Sequence, residues 1–397
     1  MRWDSLRVPQ DNATQDTITQ DTITQDTAAA HGPGTSAGSP AGPVPGGDQA
    51  GQQALFGRET VVTRTFDTPG FRGITFHEVH ARSLISKVPE ASRVPFRWTI
   101  NPYRGCSHAC VYCFARNTHT YLDLDSGKDF DSQIVVKVNA VEVLRRELKA
   151  ARWAGEHIAM GTNVDCYQRA EGRYQLMPGI IAALTQAANP FSILTKGTLV
   201  LRDIDLLARA AEVTDVGLNV SVGIIDKALS RSIEPGTPGP DRRLAVCTAL
   251  SERGLPCGVL MGPVIPFLSD SPEQLDEAVR KIARAGAVHV TPIVLHLRPG
   301  AREWFERWLH RTHPELAGAY RDLYRGRAYA PASYQAQITA QVAELARQHG
   351  VGRTTPAGAR RVPARKGLRG RQGGPQPVSP AAIGDSVASG PVQLALL

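Results

Sequence analysis

Long apolar runs are missing from this chain of 397 residues. The longest near-apolar stretch, Cys257 to Leu268, falls short of the roughly 20 residues a helix needs to cross a bilayer, and Pro263 and Pro266 interrupt it. A helical membrane span is thereby excluded. The opening segment, MRWDSLRVPQDNATQD, has no apolar core behind its arginines, so neither a signal peptide nor a lipid anchor is expected, and the expected compartment is the cytoplasm. Cysteine is scarce, six residues in all, and a long chain without an export signal works among reduced thiols, which argues against a disulfide framework. Three of the six nevertheless fall between Cys106 and Cys113, a concentration that points to metal or redox chemistry.

Acidic residues are nearly absent from the C-terminal end. Residues 353–397 hold seven basic side chains and one acidic, whereas residues 1–50 hold two basic and six acidic, within a chain of net charge +8. Such a basic segment attracts polyanions without reading sequence, and it says little about an active site. The first fifty residues also contain a repeat, Ile18 to Thr22 followed by Ile23 to Thr27, and then a stretch of Ala, Gly, Pro, Ser and Gln. Segments of this kind bury too little apolar surface to offset chain entropy, so disorder is predicted for residues 1–56 and for the Gly- and Pro-rich segment 353–397.

Between the tails, short β-branched or apolar runs alternate with stretches of helical period. Strands are predicted at Arg97 to Ile100, His157 to Met160, Phe191 to Leu194, Val216 to Val222, Cys257 to Met261 and Val288 to Leu295. Helices are predicted at Ala140 to Trp153, Pro178 to Ala188, Asp203 to Ala211, Arg242 to Arg253 and Pro272 to Ala285, the last with a Ser271 cap and an N1 proline. The alternation implies an α/β fold with a parallel sheet, open or partly closed as a barrel, whose ligands bind at the carboxyl ends of the strands. Arg302 to Gln348 reads as a helical extension that packs on the sheet or closes its opening. The expected organisation is a tail (1–56), an N-terminal extension (57–91), the core (92–300), the helical extension (301–352) and the basic tail (353–397).

The first predicted strand leads into Asn101-Pro102-Tyr103-Arg104-Gly105-Cys106, and the cysteines Cys106, Cys110 and Cys113 have the spacing CxxxCxxC. A tight loop can aim three thiolates at one centre. Three is one short of the usual ligand set of an iron–sulfur cluster, which leaves one iron open to an outside ligand. Structural zinc is the alternative; it wants a fourth ligand, which His108 would have to supply from inside the loop, between two of the ligands.

With Tyr112 just before the last cysteine, this segment resembles the signature of the radical S-adenosylmethionine (SAM) superfamily. The resemblance spans about residues 92–300. The Asn-Pro-Tyr-Arg-Gly-Cys lead-in and Met160-Gly161-Thr162-Asn163-Val164-Asp165 make the chain most similar to the branch that holds spore photoproduct lyase and the so-called DNA repair photolyases, with an actinobacterial group closer still. The resemblance implies a partial (β/α)6 barrel and a [4Fe-4S] cluster on Cys106, Cys110 and Cys113, with SAM on the fourth iron. It also implies a low-potential electron donor such as flavodoxin or ferredoxin, and an adenosyl radical that takes hydrogen from a substrate, nucleic acid being one candidate. Gly161 and Thr162 would edge the SAM amino group, and Lys196 and Ser221 would take its carboxylate. One departure is visible: the lyases return hydrogen to product from a cysteine at the second strand end, and Gly161 stands at the approximately matching position.

Other residues admit two readings each. Asp165 and Glu171 are SAM or substrate contacts, or solvated loop carboxylates. Gly262 to Pro266 approaches adenine, or is an ordinary turn. His296 and Arg298 touch substrate, or merely cap the last strand. Cys166, Cys247 and Cys257 lack metal spacing and are expected to be inert. Outside this enzyme class, a non-catalytic iron–sulfur or zinc module for sensing or scaffolding is the rival.

Overall fold

The computed structural model describes residues 61–89, 92 and 94–351. The two tails with predicted disorder lie outside the described residues. Among the described residues there are eleven strands: β1 (Val61–Thr65), β2 (Thr75–Val79), β3 (Ile85–Lys87), β4 (Trp98–Ile100), β5 (Tyr103–Arg104), β6 (Gln133–Lys137), β7 (Ile158–Met160), β8 (Phe191–Thr195), β9 (Val216–Ser221), β10 (Cys257–Val264) and β11 (Val290–Val294).

The main sheet runs β11-β10-β9-β8-β7-β4-β3. From β4 to β11 every neighbouring pair is parallel and follows chain order, as crossover helices require. This is the partial (β/α)6 arrangement, with all six carboxyl ends on one rim. β7 shows why the strands read as unbroken apolar runs: Ile158, Ala159 and Met160 are all buried, because helices cover one face and the core fills the other.

The five helices expected between these strands form close to their expected spans, at Ala140–Lys149, Leu176–Gln186, Ile204–Val213, Pro240–Glu252 and Pro272–Arg284, and short helices at Lys128–Ser132, Arg169–Tyr174 and Lys227–Ile233 join them. The last begins with a complete capping box between Ser271 and Gln274. The second starts ahead of Pro178, its expected first residue, because the Glu171 carboxylate accepts from the backbone N–H of Leu176 (3.0 Å) and Met177 (3.1 Å), donors that a helix N-terminus leaves without an intrahelical partner. The C-terminal segment is helical at Ala301–Thr312, Ala317–Tyr324 and Ala332–Gln348, and the last of these packs against β11 and the Pro272–Arg284 helix.

A second sheet, β1-β2-β6-β5, was not anticipated. β2 pairs with β6 in parallel, so the chain before the cysteine loop is clasped to the chain after it. The described part of the N-terminal extension, residues 61–89, thus supplies β1 and β2 to this sheet and, through β3, the antiparallel edge of the main one.

Candidate active site

The cysteine loop is held from three sides. Gln168, fully buried, accepts from the Ser107 backbone N–H (2.9 Å) and donates to the Gly105 carbonyl (2.9 Å). Arg116, also fully buried, donates to the Cys110 carbonyl (2.9 Å) and the Gly127 carbonyl (2.7 Å) and pairs with Asp131 at 2.8 Å. From the third side, Val111 N–H donates to the Ile233 carbonyl (3.0 Å) and Gly236 N–H to the His108 carbonyl (3.0 Å). A Cβ on Gly236 would stand 2.0 Å from the Ser107 carbonyl oxygen, so only glycine allows this approach.

The three cysteines are free thiols, Cys106 and Cys110 buried and Cys113 half-buried. Burial pushes all three thiols up; for Cys106, Asp165 and then Cys110 and Cys113 push further, while Arg116 works the other way on Cys113 and Lys196 on both Cys110 and Cys113. The three therefore share one electrostatic neighbourhood, in which bound cationic iron would reverse the cost of ionisation. Among the described residues no three His, Cys, Asp or Glu side chains converge as ligands of a single metal ion. A cubane asks for something else, since each thiolate takes a separate iron. The donor set fits a [4Fe-4S] cluster.

At the carboxyl ends of the adjacent strands β8 and β9, Lys196 and Ser221 come together with Tyr112 of the cysteine loop. Lys196 Nζ donates to Ser221 Oγ (2.5 Å) and to the Gly262 carbonyl (3.2 Å), and lies 5.9 Å from the Tyr112 ring centroid. Two residues that sequence reasoning missed complete the group. Glu234 accepts from the Tyr112 hydroxyl and from Arg243 Nη2 (2.5 Å), and stands 3.4 Å from Lys196 Nζ; Arg243 Nη1 also donates to the Ser221 carbonyl (3.0 Å). Burial works to raise the Glu234 carboxyl, but Arg243 and Lys196, with the phenol's hydrogen bond, bring it down to about 2. Two cationic side chains share this one carboxylate, so the group carries one positive charge in excess. A signal for the missed pair was available. Arg243, Cys247 and Leu250 recur at i, i+4 and i+7 on the buried face of their helix, and an arginine there demands a buried acid.

Gly161 and Thr162 lie on the same rim after β7 but are not drawn into that group. Gly161 has φ +76°, and a Cβ there would stand 1.8 Å from the Leu194 carbonyl oxygen. Thr162 Oγ1 is 3.2 Å from Thr99 Oγ1. Asp165 ties the two halves of the site together: it accepts from Lys196 N–H (2.7 Å) and Thr195 Oγ1 (2.7 Å) and sits 3.4 Å from His108 Nδ1. Glu171 points elsewhere, into a closed network with Tyr103 and Arg202.

His296 and Arg298 do lie on the rim, in an aromatic wall beside the cysteine loop. The His296 ring sits between Phe114 and Tyr329, its Nδ1 buried without a partner, while Arg298 donates to the Tyr329 hydroxyl (2.8 Å). Burial, helped by Arg298, holds His296 down at about 4. Cys247 and Cys257 are buried free thiols in the core, and Cys166, in the segment after β7, is a buried free thiol as well.

Residues 100–282 match the family model described as "Radical SAM superfamily". Over 284 residues the chain is 54% identical to uncharacterised proteins of Mycobacterium tuberculosis and Mycobacterium bovis, covering 72% of this chain and 84% of theirs. The chain belongs to the radical SAM superfamily. An uncharacterised Methanocaldococcus jannaschii protein is 31% identical over 185 residues, 47% of this chain and 65% of its own. Among solved structures, spore photoproduct lyase complexed with dinucleoside spore photoproduct aligns with TM-score 0.54 at 18% identity, covering 70% of this chain and 80% of the lyase. A mutant of that lyase with bound SAM and the same dinucleoside aligns with TM-score 0.52 at 17% identity, over 68% and 77%. These similarities establish the shared fold. As a radical SAM protein the chain is an enzyme whose family implies a [4Fe-4S] cluster and SAM, which sets aside the non-catalytic module.

Proposed function

We propose that Cys106, Cys110 and Cys113 hold the [4Fe-4S] cluster of this radical SAM enzyme, that Lys196 and Ser221 take the SAM carboxylate, and that the Gly161–Thr162 edge receives the amino group. One observation carries this reading. The buried group around Glu234 has one cation too many, at the strand-end rim and against the cysteine loop, and an incoming carboxylate would neutralise it. When bound, the cluster and SAM supply a 5′-deoxyadenosyl radical that abstracts hydrogen from a substrate. The chain's own part is positional. Lys196 offers a fixed ammonium, Asp165 locks the end of β8 to His108 of the loop, and Arg116 and Gln168 keep the loop backbone from shifting. The burial of these groups keeps water away from the reacting centre. The reading also asks for a low-potential donor such as flavodoxin or ferredoxin.

Nucleic acid is the substrate class that the basic segment 353–397 and the shared fold with a dinucleoside-binding lyase favour. The thiol that returns hydrogen in the lyases has no counterpart at 161, where no side chain fits, and Cys166 nearby is fully buried. The reaction we infer is therefore not spore photoproduct repair by that route.

Anaerobic reconstitution tests the assignment. It should give one [4Fe-4S] cluster whose electron paramagnetic resonance signal changes when SAM is added, and alanine at any one of Cys106, Cys110 or Cys113 should abolish that signal. A normal cluster in the triple variant would refute the ligand assignment. Accelerated formation of 5′-deoxyadenosine across a panel of nucleic-acid and small-molecule candidates would then identify the substrate.

A further inference from the structure

Glu234 joins both halves of the site through side chains, as Asp165 does through His108 and the Lys196 backbone. It accepts from the hydroxyl of Tyr112, which lies between two of the cysteines, and it faces the ammonium of Lys196, which ends β8. Its own position is fixed from below by Arg243, whose guanidinium also holds the Ser221 carbonyl and Ser230 Oγ (3.1 Å). Glu234 and Arg243 are both essentially inaccessible, with side chains 1% and 0% exposed, whereas Lys196 keeps 14%. A ligand therefore meets Lys196 and not Glu234. A lysine ammonium on four methylenes has no preferred direction of its own, so a carboxylate receptor built on lysine needs something to aim it.

We propose that Glu234 is the positioning residue of the SAM carboxylate site: it aims the Lys196 ammonium at the rim and, through the Tyr112 hydroxyl, ties that aim to the cysteine loop. The proposal rests on the assignment of Lys196 to the SAM carboxylate. It also makes a counter-intuitive demand. Considered as a charge alone, Glu234 opposes an incoming carboxylate, so removing its charge should tighten SAM binding. If Glu234 acts by position, removing its charge weakens binding, because Lys196 is left with the neutral Ser221 hydroxyl and Gly262 carbonyl to direct it.

The test is a double-mutant cycle on SAM affinity, measured anaerobically by titration calorimetry on cluster-loaded protein. Iron and sulfide content and the cluster signal without SAM are recorded for each variant. Glu234→Gln should weaken SAM binding about tenfold or more while leaving the cluster content unchanged, and Glu234→Asp should restore part of the loss. In a Lys196→Ala background, Glu234→Gln should have no further effect, since Glu234 acts through that lysine; a general structural role would give additive losses. Tighter or unchanged SAM binding in Glu234→Gln, or additivity with Lys196→Ala, overturns the proposal. Unchanged affinity in Lys196→Ala itself would instead overturn the carboxylate assignment, so the two failures are distinguishable. Should Glu234→Gln fail to fold because Arg243 is left unpaired, the pair Glu234→Gln with Arg243→Met removes both buried charges together and carries the same cycle.

Discussion

Glu171 and Glu234 are two buried glutamates, each meeting an arginine and a tyrosine, yet their surroundings differ in sign. Around Glu171, one cation serves two acids: Arg202 pairs with Glu171 at 2.6 Å and with Asp203 at 2.8 Å, Tyr103 donates to Glu171 at 2.5 Å, and Tyr167 donates to Asp203 at 3.0 Å. Two backbone N–H groups take what remains of the carboxylate. Around Glu234, two cations serve one acid. In the first network every carboxylate oxygen has a donor, and it joins β5 to the segments after β7 and β8; the second carries one more cation than acid among the described residues that form it. A buried network with every acceptor filled builds the fold, and one with an excess charge at a strand-end rim waits for a ligand.

This contrast breaks first at Glu171. Replacing it by alanine deprives Tyr103, two backbone N–H groups and part of Arg202 of their acceptor, and should cost about 3 kcal/mol in denaturant unfolding. SAM affinity of the folded protein should not change. A loss of affinity comparable to that of the Lys196 variant would mean that both networks serve the ligand. The reverse pattern is expected at the second network. Lys196→Ala and Ser221→Ala should each weaken SAM binding by about 1.5 to 3 kcal/mol, on the order of tenfold to a hundredfold, with the cluster intact. Glu234 keeps Arg243 and Tyr112 in the lysine variant, so unfolding should shift by only about 1 kcal/mol. Unchanged affinity in both variants would show that the excess charge has another purpose.

How much of this was legible from the residues depended on the range of the interaction involved. The six parallel strands announced themselves because burial on both faces leaves an apolar run that needs no partner to be recognised, as at Ile158 to Met160. The cysteine loop was legible for a similar reason, its ligands being neighbours in sequence. The second sheet was not, because β5 has two residues and β2 meets β6 across the whole cysteine loop; the runs Val61 to Thr65 and Ile134 to Val136 were local signs without a visible partner. Glu234 was missed because its partners, Tyr112 and Lys196, are distant in sequence and are brought to it only when the strands close up in order. Neither reading of Glu171, a SAM or substrate contact or a solvated loop carboxylate, anticipates its full burial in a helix, since nothing near it in sequence discloses Tyr103 or Arg202.

The smallest expected effect, and the one that sharpens the contrast most, is in pH dependence. Burial raises the Glu171 carboxyl above its ordinary value, and its four donors do not overcome that; in Glu234 the two cations win and hold it at about 2. A carboxyl raised in the folded state binds more protons there than in the unfolded chain, so its contribution to stability is fully present below the unfolded value, about 4.3, and is lost as pH rises through the folded value. One that is depressed does the opposite: its contribution is present above about 4.3 and disappears as pH falls toward 2. Wild type should therefore lose stability relative to Glu171→Gln as pH rises from about 4.3, whereas its difference from Glu234→Gln should stay flat above that pH and shrink only in stronger acid. Differences between variants cancel groups common to both, such as His296, which holds its proton only below about 4. Urea unfolding at half-unit steps of pH measures these differences. A flat difference for Glu171→Gln above pH 4.3 would mean that its network holds the carboxylate as firmly as the other, and the opposition between the two would then rest on their charge alone.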